Sequence, residues 1–263
     1  MEEVFSLNLN ALFKAGWFTV GSFVLAIIFT PIVSYLLYKY RFWKQIREAT
    51  ATGEKSTIVA KLHAKKRNTP TMAGILIWGT VALVTLLFNL TRSQTYLPLA
   101  VLIGVGILGM VDDWANVRGI GKIKGIRMRT KLVWLLIISA IGAWWFYYKL
   151  GFHTLHIPRV GDIELGWWYI PLFIFVITAT ANAVNITDGL DGLAAGLSGF
   201  VFGAYTIICL IKGQFSLAYF TASLVGALLA FLWFNIYPAR FFMGDTGSLS
   251  LGATLGVLAM LTD

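Results

Sequence analysis

Apolar and polar positions along this chain sort into long blocks, not into the short stripes of a water-soluble domain. Eight apolar windows, at roughly 17–38, 72–90, 95–111, 132–149, 167–184, 193–211, 215–235 and 246–262, carry no charge in their central parts. A helix rising about 1.5 Å per residue needs about 20 residues to cross a hydrocarbon core, so each window predicts a span. Strands of a membrane barrel would alternate with period two, and these runs do not. No internal repeat or low-complexity tract interrupts them. The pattern predicts an all-α fold: a polytopic transmembrane helix bundle of about eight spans, forming a single integral membrane domain over residues 1–263.

Composition agrees. Of 263 residues, 58% are hydrophobic and 13% charged, against about 25% charged in a soluble domain. The single cysteine, Cys209, sits inside an apolar window and excludes a disulfide framework. The N-terminus (MEEVFSLNLN) is acidic and the first apolar run exceeds a signal-peptide core, so it reads as a retained span.

Charge sets the orientation. Eight alternating spans place loops at about 39–71, 112–131, 182–192 and 236–245 on one side. Nine Lys and Arg fall in the first loop, six in the second, and Arg240 in the last, which makes sixteen of the chain's 21. Basic residues collect on the cytoplasmic side of a membrane, so the N-terminus is expected outside. The same charges attract anionic lipid heads of the bilayer. Nucleic-acid binding is not expected of charges held in short loops against a membrane.

Seven of the twelve acids lie on that side, five of them within three short segments. Asp112 and Asp113 end the third window (GILGMVDDWANVRG), and Asp188 and Asp191 lie in NAVNITDGLDGLA with Asn182, Asn185, Gly189 and Gly192. Asp245 lies in the Gly-flanked turn of FNIYPARFFMGDTGSLSLG, and Lys66 falls just before Pro70. Each has an ordinary reading. An Asp at a helix end is often a solvated interfacial residue, Asp245 or Thr246 can serve as an N-cap, and Asn182 and Asn185 can bond between helices. His63 reads as a loop histidine, and His153 and His156 fall on the external side with no acidic cluster nearby.

Convergence favours chemistry. Crowded carboxylates repel unless a cation compensates. Their hard oxygens suit Mg²⁺, which takes one or two carboxylates together with waters and substrate phosphates. Glycines beside the acids let backbone approach a phosphate, and nearby Lys and Arg supply further positive charge. On an ideal helix Asp112 and Asp113 point about 100° apart and should not share one task. A three-residue repeat drifts around a helix, so the 182–191 stripe predicts a break at Gly189 that folds Asp191 back over the site. These residues together read as a Mg²⁺-diphosphate site where a soluble nucleotide meets a lipid phosphate.

The stretches KKRNTPTMAG (65–74), DDWANVRGIGKIKGIRMRTK (112–131), NAVNITDGLDGLAAG (182–196) and FNIYPARFFMGDTGSLSLG (234–252) carry a resemblance. The chain resembles the phospho-N-acetylmuramoyl-pentapeptide transferase family of the polyprenyl-phosphate N-acetylhexosamine-1-phosphate transferase superfamily. That resemblance implies transfer of phospho-MurNAc-pentapeptide from UDP-MurNAc-pentapeptide to undecaprenyl phosphate, giving lipid I and UMP. It implies an active site on the cytoplasmic face of the bacterial inner membrane, and homodimers. By motif position Asp245 resembles the Mg²⁺ ligand, and Asp112 and Asp113 resemble the paired acids beside the lipid phosphate. Asp188 and Lys66 resemble polar residues near the nucleotide. Asn235, Phe242 and Asp191 match the uridine pocket, with Phe242 stacking on the base. Asn182, Asn185, Gly189 and Lys131 fall in the same stretches and are assigned to substrate binding.

Ala73 replaces a usual glycine, and Asn116 stands where a lysine is usual. The family pattern has ten spans and a histidine cluster near the ninth, whereas no His follows His156, so a C-terminal part is expected to be missing. Three alternatives stand beside this reading. One is a GlcNAc-1-phosphate transferase on the same lipid, separable by assay with each UDP-sugar. A second is a transporter, which would place ionisable residues near the bilayer midplane. The third is an inactive fragment with a scaffold role, detectable as absence of UMP release.

Overall fold

The computed structural model describes residues 9–43, 69–91, 93–120, 126–157, 159 and 161–262. Among them run eight α-helices: α1 Leu9–Lys39, α2 Gly74–Phe88, α3 Tyr96–Val117, α4 Met128–Leu150, α5 Tyr169–Thr187, α6 Leu193–Ile211, α7 Phe215–Asn235 and α8 Asp245–Leu261. Each predicted window carries one helix. A helix satisfies every backbone group within its own segment, which is what an apolar run in hydrocarbon requires.

The helix ends differ from the windows in ways that matter for the site. α3 continues to Val117, so Asp112 and Asp113 project from a helix and not a loop. α5 continues to Thr187, which makes Asn182 and Asn185 helical as well. The break falls at Asp188, ahead of Gly189, and the left-handed backbone falls at Gly192 (φ 78°), which starts α6. Six helices are long and apolar enough to cross a membrane, α5 together with the preceding 3₁₀ turn Gly166–Trp168. α2 (15 residues) and α8 (17 residues) are shorter than the expected spans. The backbone at their starts is cross-linked: Ala73 N–H donates to Phe242 O at 3.1 Å, and Gly74 N–H to Met243 O at 3.0 Å.

One element departs from the all-helical expectation. Strands β1 (Thr154–Ile157) and β2 (Gly161–Glu164) form an antiparallel hairpin between α4 and α5.

Two helices form the interior. α8 packs against α2, α3 and α5, and nearly all of its side chains are buried. α7 packs against α1, α2 and α6. Backbone contact between α3 and α8 requires glycine: a Cβ on Gly109 would stand 2.1 Å from Asp245 O. The outer surface is apolar, with Trp17, Phe200 and Trp233 at least 74% exposed. Such a surface is at home in acyl chains, and small residues at the helix contacts supply the packing that the hydrophobic effect does not supply in lipid.

Candidate active site

Four helix ends meet at one end of the bundle. α3 brings Asp112 and Asp113 in its last turns, α4 brings Lys131 in its first turn, α5 brings Asn182 and Asn185, and α8 brings Asp245 and Ser248. Lys131 is the hub. Its Nζ lies 2.7 Å from Asp112 Oδ2 and in direct contact with Asp245 Oδ2. Asp112 also accepts the Ile126 N–H at 2.7 Å. Asn185 Nδ2 donates to Asp245 Oδ1 at 3.1 Å and to Ser248 Oγ at 2.8 Å. Asn182 bonds back to Thr178 O at 2.8 Å and lines a narrow cleft with Lys131, Asn185, Met128, Leu132 and Leu249. That cleft holds about 20 Å³, room for a single water.

Among the described residues Lys131 bridges the two carboxylates, and only 8% of the Asp112 side chain, 14% of Asp245 and 21% of Lys131 face solvent. The helix dipoles divide. Asp245 sits favourably at the N-terminus of α8, whereas Lys131 sits at the N-terminus of α4, where a cation is disfavoured unless carboxylates face it.

Asp113 turns elsewhere. Its Oδ2 accepts the Thr246 N–H at 3.0 Å and the Thr246 hydroxyl at 2.7 Å, and the residue is 3% exposed. α8 has Gly244 at its N-cap and no side-chain cap of its own. A carboxylate from α3 satisfies one of the amides left open at this helix start, so neither Asp245 nor Thr246 caps α8. Gly244 permits this: its φ is 72°, and a Cβ there would stand 2.2 Å from Asp113 Oδ2.

A second group laces the neighbouring turns together. Asn235, 3% exposed, accepts the Gly192 N–H at 3.0 Å and donates to Phe241 O at 2.9 Å. Asp191 Oδ2 accepts the Ala239 N–H at 3.3 Å. Phe242 is half-buried, and its N–H donates to Pro70 O at 2.8 Å. Asp188 ends α5, with its N–H on Val184 O, and Gly189 is exposed in the following turn. Lys66 and His63 lie outside the described residues. Two contributors escaped the reading of the sequence. Ser248 follows Asp245 at helical i+3 spacing, a signal that could have placed it on the same face. Thr246 gave no such signal, because its partner comes from another helix.

Fold and site together define a multi-pass membrane protein with a carboxylate–ammonium centre at one end of its bundle. The chain belongs to glycosyl transferase family 4, whose model matches residues 95–263. It is similar to a phospho-N-acetylmuramoyl-pentapeptide-transferase of Geobacillus sp. (strain WCH70), 43% identical over 92% of this chain and 73% of the relative. Proteins of that name from Geobacillus thermodenitrificans (strain NG80-2) and Anoxybacillus flavithermus (strain DSM 21510 / WK1) are 42% and 38% identical. They match over 92% and 95% of this chain and 73% and 76% of their own lengths.

Proposed function

We propose that this chain transfers phospho-MurNAc-pentapeptide from UDP-MurNAc-pentapeptide to undecaprenyl phosphate, releasing UMP and forming lipid I. One observation carries the reading: Lys131 from α4 is clasped between Asp112 of α3 and Asp245 of α8 at the edge of an apolar bundle. A diphosphate carried by a soluble nucleotide and a phosphate carried by a lipid can both reach such a place. The name shared by the relatives supports the muramoyl substrate over UDP-GlcNAc. The excess of basic residues in the loops on this side supports a cytoplasmic site in the bacterial inner membrane.

The donor set fits Mg²⁺. Among the described residues no three acidic, His or Cys side chains gather into a closed metal cage. Mg²⁺ needs none, since it keeps waters and completes its shell with substrate phosphates around one or two carboxylates. Asp245 is the protein ligand in this proposal, held in place by Asn185. Bound there, the ion would polarise the diphosphate and offset its charge.

The remaining chemistry belongs to the chain. An oxygen of the lipid phosphate forms a bond to the sugar-linked β-phosphorus as the bond from that phosphorus to the bridging oxygen breaks. UMP departs with that oxygen. Phosphoryl transfer relies on positioning and charge stabilisation more than on covalent help from the protein. A phosphate monoester with a second pKa near 6 is largely ionised at neutral pH, so Asp112 need only accept a residual proton. Lys131 lies beside both carboxylates and supplies positive charge to the equatorial oxygens. Asp113 is a positioning residue: by fixing Thr246 it fixes the start of α8 and with it Asp245. In this proposal the nucleotide lies on the 188–192 and 236–244 side of the cluster. There Asp191 and Phe242 meet the uridine, and the buried Asn235 holds the Gly192 and Phe241 turns that carry them.

The test is UMP release by the purified chain in nanodiscs containing undecaprenyl phosphate. UMP is expected with UDP-MurNAc-pentapeptide and not with UDP-GlcNAc. The reverse preference would assign the other branch, and UMP from neither would contradict the proposal. Phosphate retained on the protein when the lipid acceptor is withheld would overturn the single-step route.

A further inference from the structure

The opposite end of the bundle carries an element that this chemistry does not use. α4 runs from Lys131 at the acid cluster to Leu150 at the far end, and the β1–β2 hairpin starts four residues beyond. Its register pairs Leu155 with Ile163 and Ile157 with Gly161, and it pairs Thr154 with Glu164 and His156 with Asp162. Successive side chains of a strand point to opposite faces. One face is therefore aliphatic and the other polar. His156 Nδ1 lies 2.6 Å from Asp162 Oδ1 on the polar face, with both side chains more than half exposed.

Among the described residues the aliphatic face lies outside the packing of the bundle. Leu155 and Ile157 are half-buried and Ile163 is 38% exposed, and none of the three belongs to the buried core or to the layer packed on it. A two-stranded hairpin is marginal in water unless something covers its apolar face. Its surroundings indicate what does. Trp167 and Trp168, 68% and 76% exposed, follow β2 directly, and Trp144 and Tyr148 project from the end of α4. The Trp167 ring lies 6.1 Å from that of Tyr148. Trp and Tyr concentrate where hydrocarbon gives way to water, so these rings mark the level at which the bundle leaves the bilayer. The hairpin lies next to this belt in the chain, three residues before Trp167.

We infer that the hairpin lies on the headgroup surface of the leaflet opposite the acid cluster, with Leu155, Ile157 and Ile163 toward the acyl chains and His156 and Asp162 toward water. Its two roots are α4 and α5, the helices that carry Lys131 and Asn185 at the other end. The hairpin is thus a foot that sets the depth of both helices in the membrane. The inference stands independently of the reaction proposed above.

The test places nitroxide labels on single cysteines in the Cys209→Ala chain, reconstituted in nanodiscs of phosphatidylethanolamine and phosphatidylglycerol. Leu155→Cys, Ile157→Cys and Ile163→Cys report one face, and Thr154→Cys and Asp162→Cys report the other. The ratio of oxygen to water-soluble nickel accessibility is expected to be severalfold higher at 155, 157 and 163 than at 154 and 162. Equal nickel access on both faces would overturn the inference by showing a hairpin clear of lipid. Shielding of the aliphatic face from both reagents, with spin–spin broadening, would overturn it in favour of a second copy of the chain.

Discussion

On α3 the side chains of Asp112 and Asp113 leave the helix in different directions, one to Lys131 and the other to Thr246. The two are expected to fail differently when changed. Asp113→Asn weakens charge-assisted bonds to a buried helix start, at roughly 1.5–3 kcal/mol of stability each. Thermal unfolding in detergent reads that loss. Thr246→Val removes the hydroxyl partner, so the double variant should fall short of the sum of the singles; full additivity would dismiss the contact. That adjacent acids diverge was legible in the sequence, because successive residues on a helix sit about 100° apart. That the second acid caps another helix was not legible, since it depends on where α8 begins in space. The same limit applied to Thr246, and Ser248 was missed although its i+3 spacing from Asp245 was available.

Between elements, the glycines decide how closely the acids approach. Gly109 places α3 against the first residue of α8, and Gly109→Ala would drive a methyl into Asp245 O, 2.1 Å from the ideal Cβ. Overpacking of this kind costs about 1–3 kcal/mol or more. Here it also displaces the residue proposed to hold Mg²⁺, so thermal stability and UMP release should fall together. Unchanged values for both would show that α3 and α8 are not in contact at this point. The apolar windows located all eight helices, since a charge-free run of that length has few alternatives in a membrane. The helix ends were harder to place. The NAVNIT segment reads as loop because of its polar residues, yet it stays helical while those side chains face the cluster and a back-bonded carbonyl. The hairpin escaped notice because two four-residue strands give too short an alternation to stand out within a connecting segment.

For the whole molecule, the basic loops predict that the acid cluster and the hairpin face opposite compartments. Single cysteines at Leu190 and Asp162, the latter on the water-facing side of the hairpin, in the Cys209→Ala chain, probed with an impermeant maleimide on intact cells, should label only at 162. Labelling at 190 alone would invert the orientation and leave the soluble nucleotide on the wrong side. The bundle itself was legible from composition, and the meeting of Asp112, Asp113 and Asp245 at one end of it from their places beside the apolar windows. Which acids share one cation was not legible, because that follows from packing α8 between α3 and α5. The most direct measurement is Mg²⁺-dependent UMP release by the reconstituted chain, comparing the parent with Lys131→Met and Asp245→Asn. The account predicts release that needs both substrates and Mg²⁺ and that falls by about 100-fold or more in each variant. Release at the parent rate in either variant, with the fold intact, would contradict it.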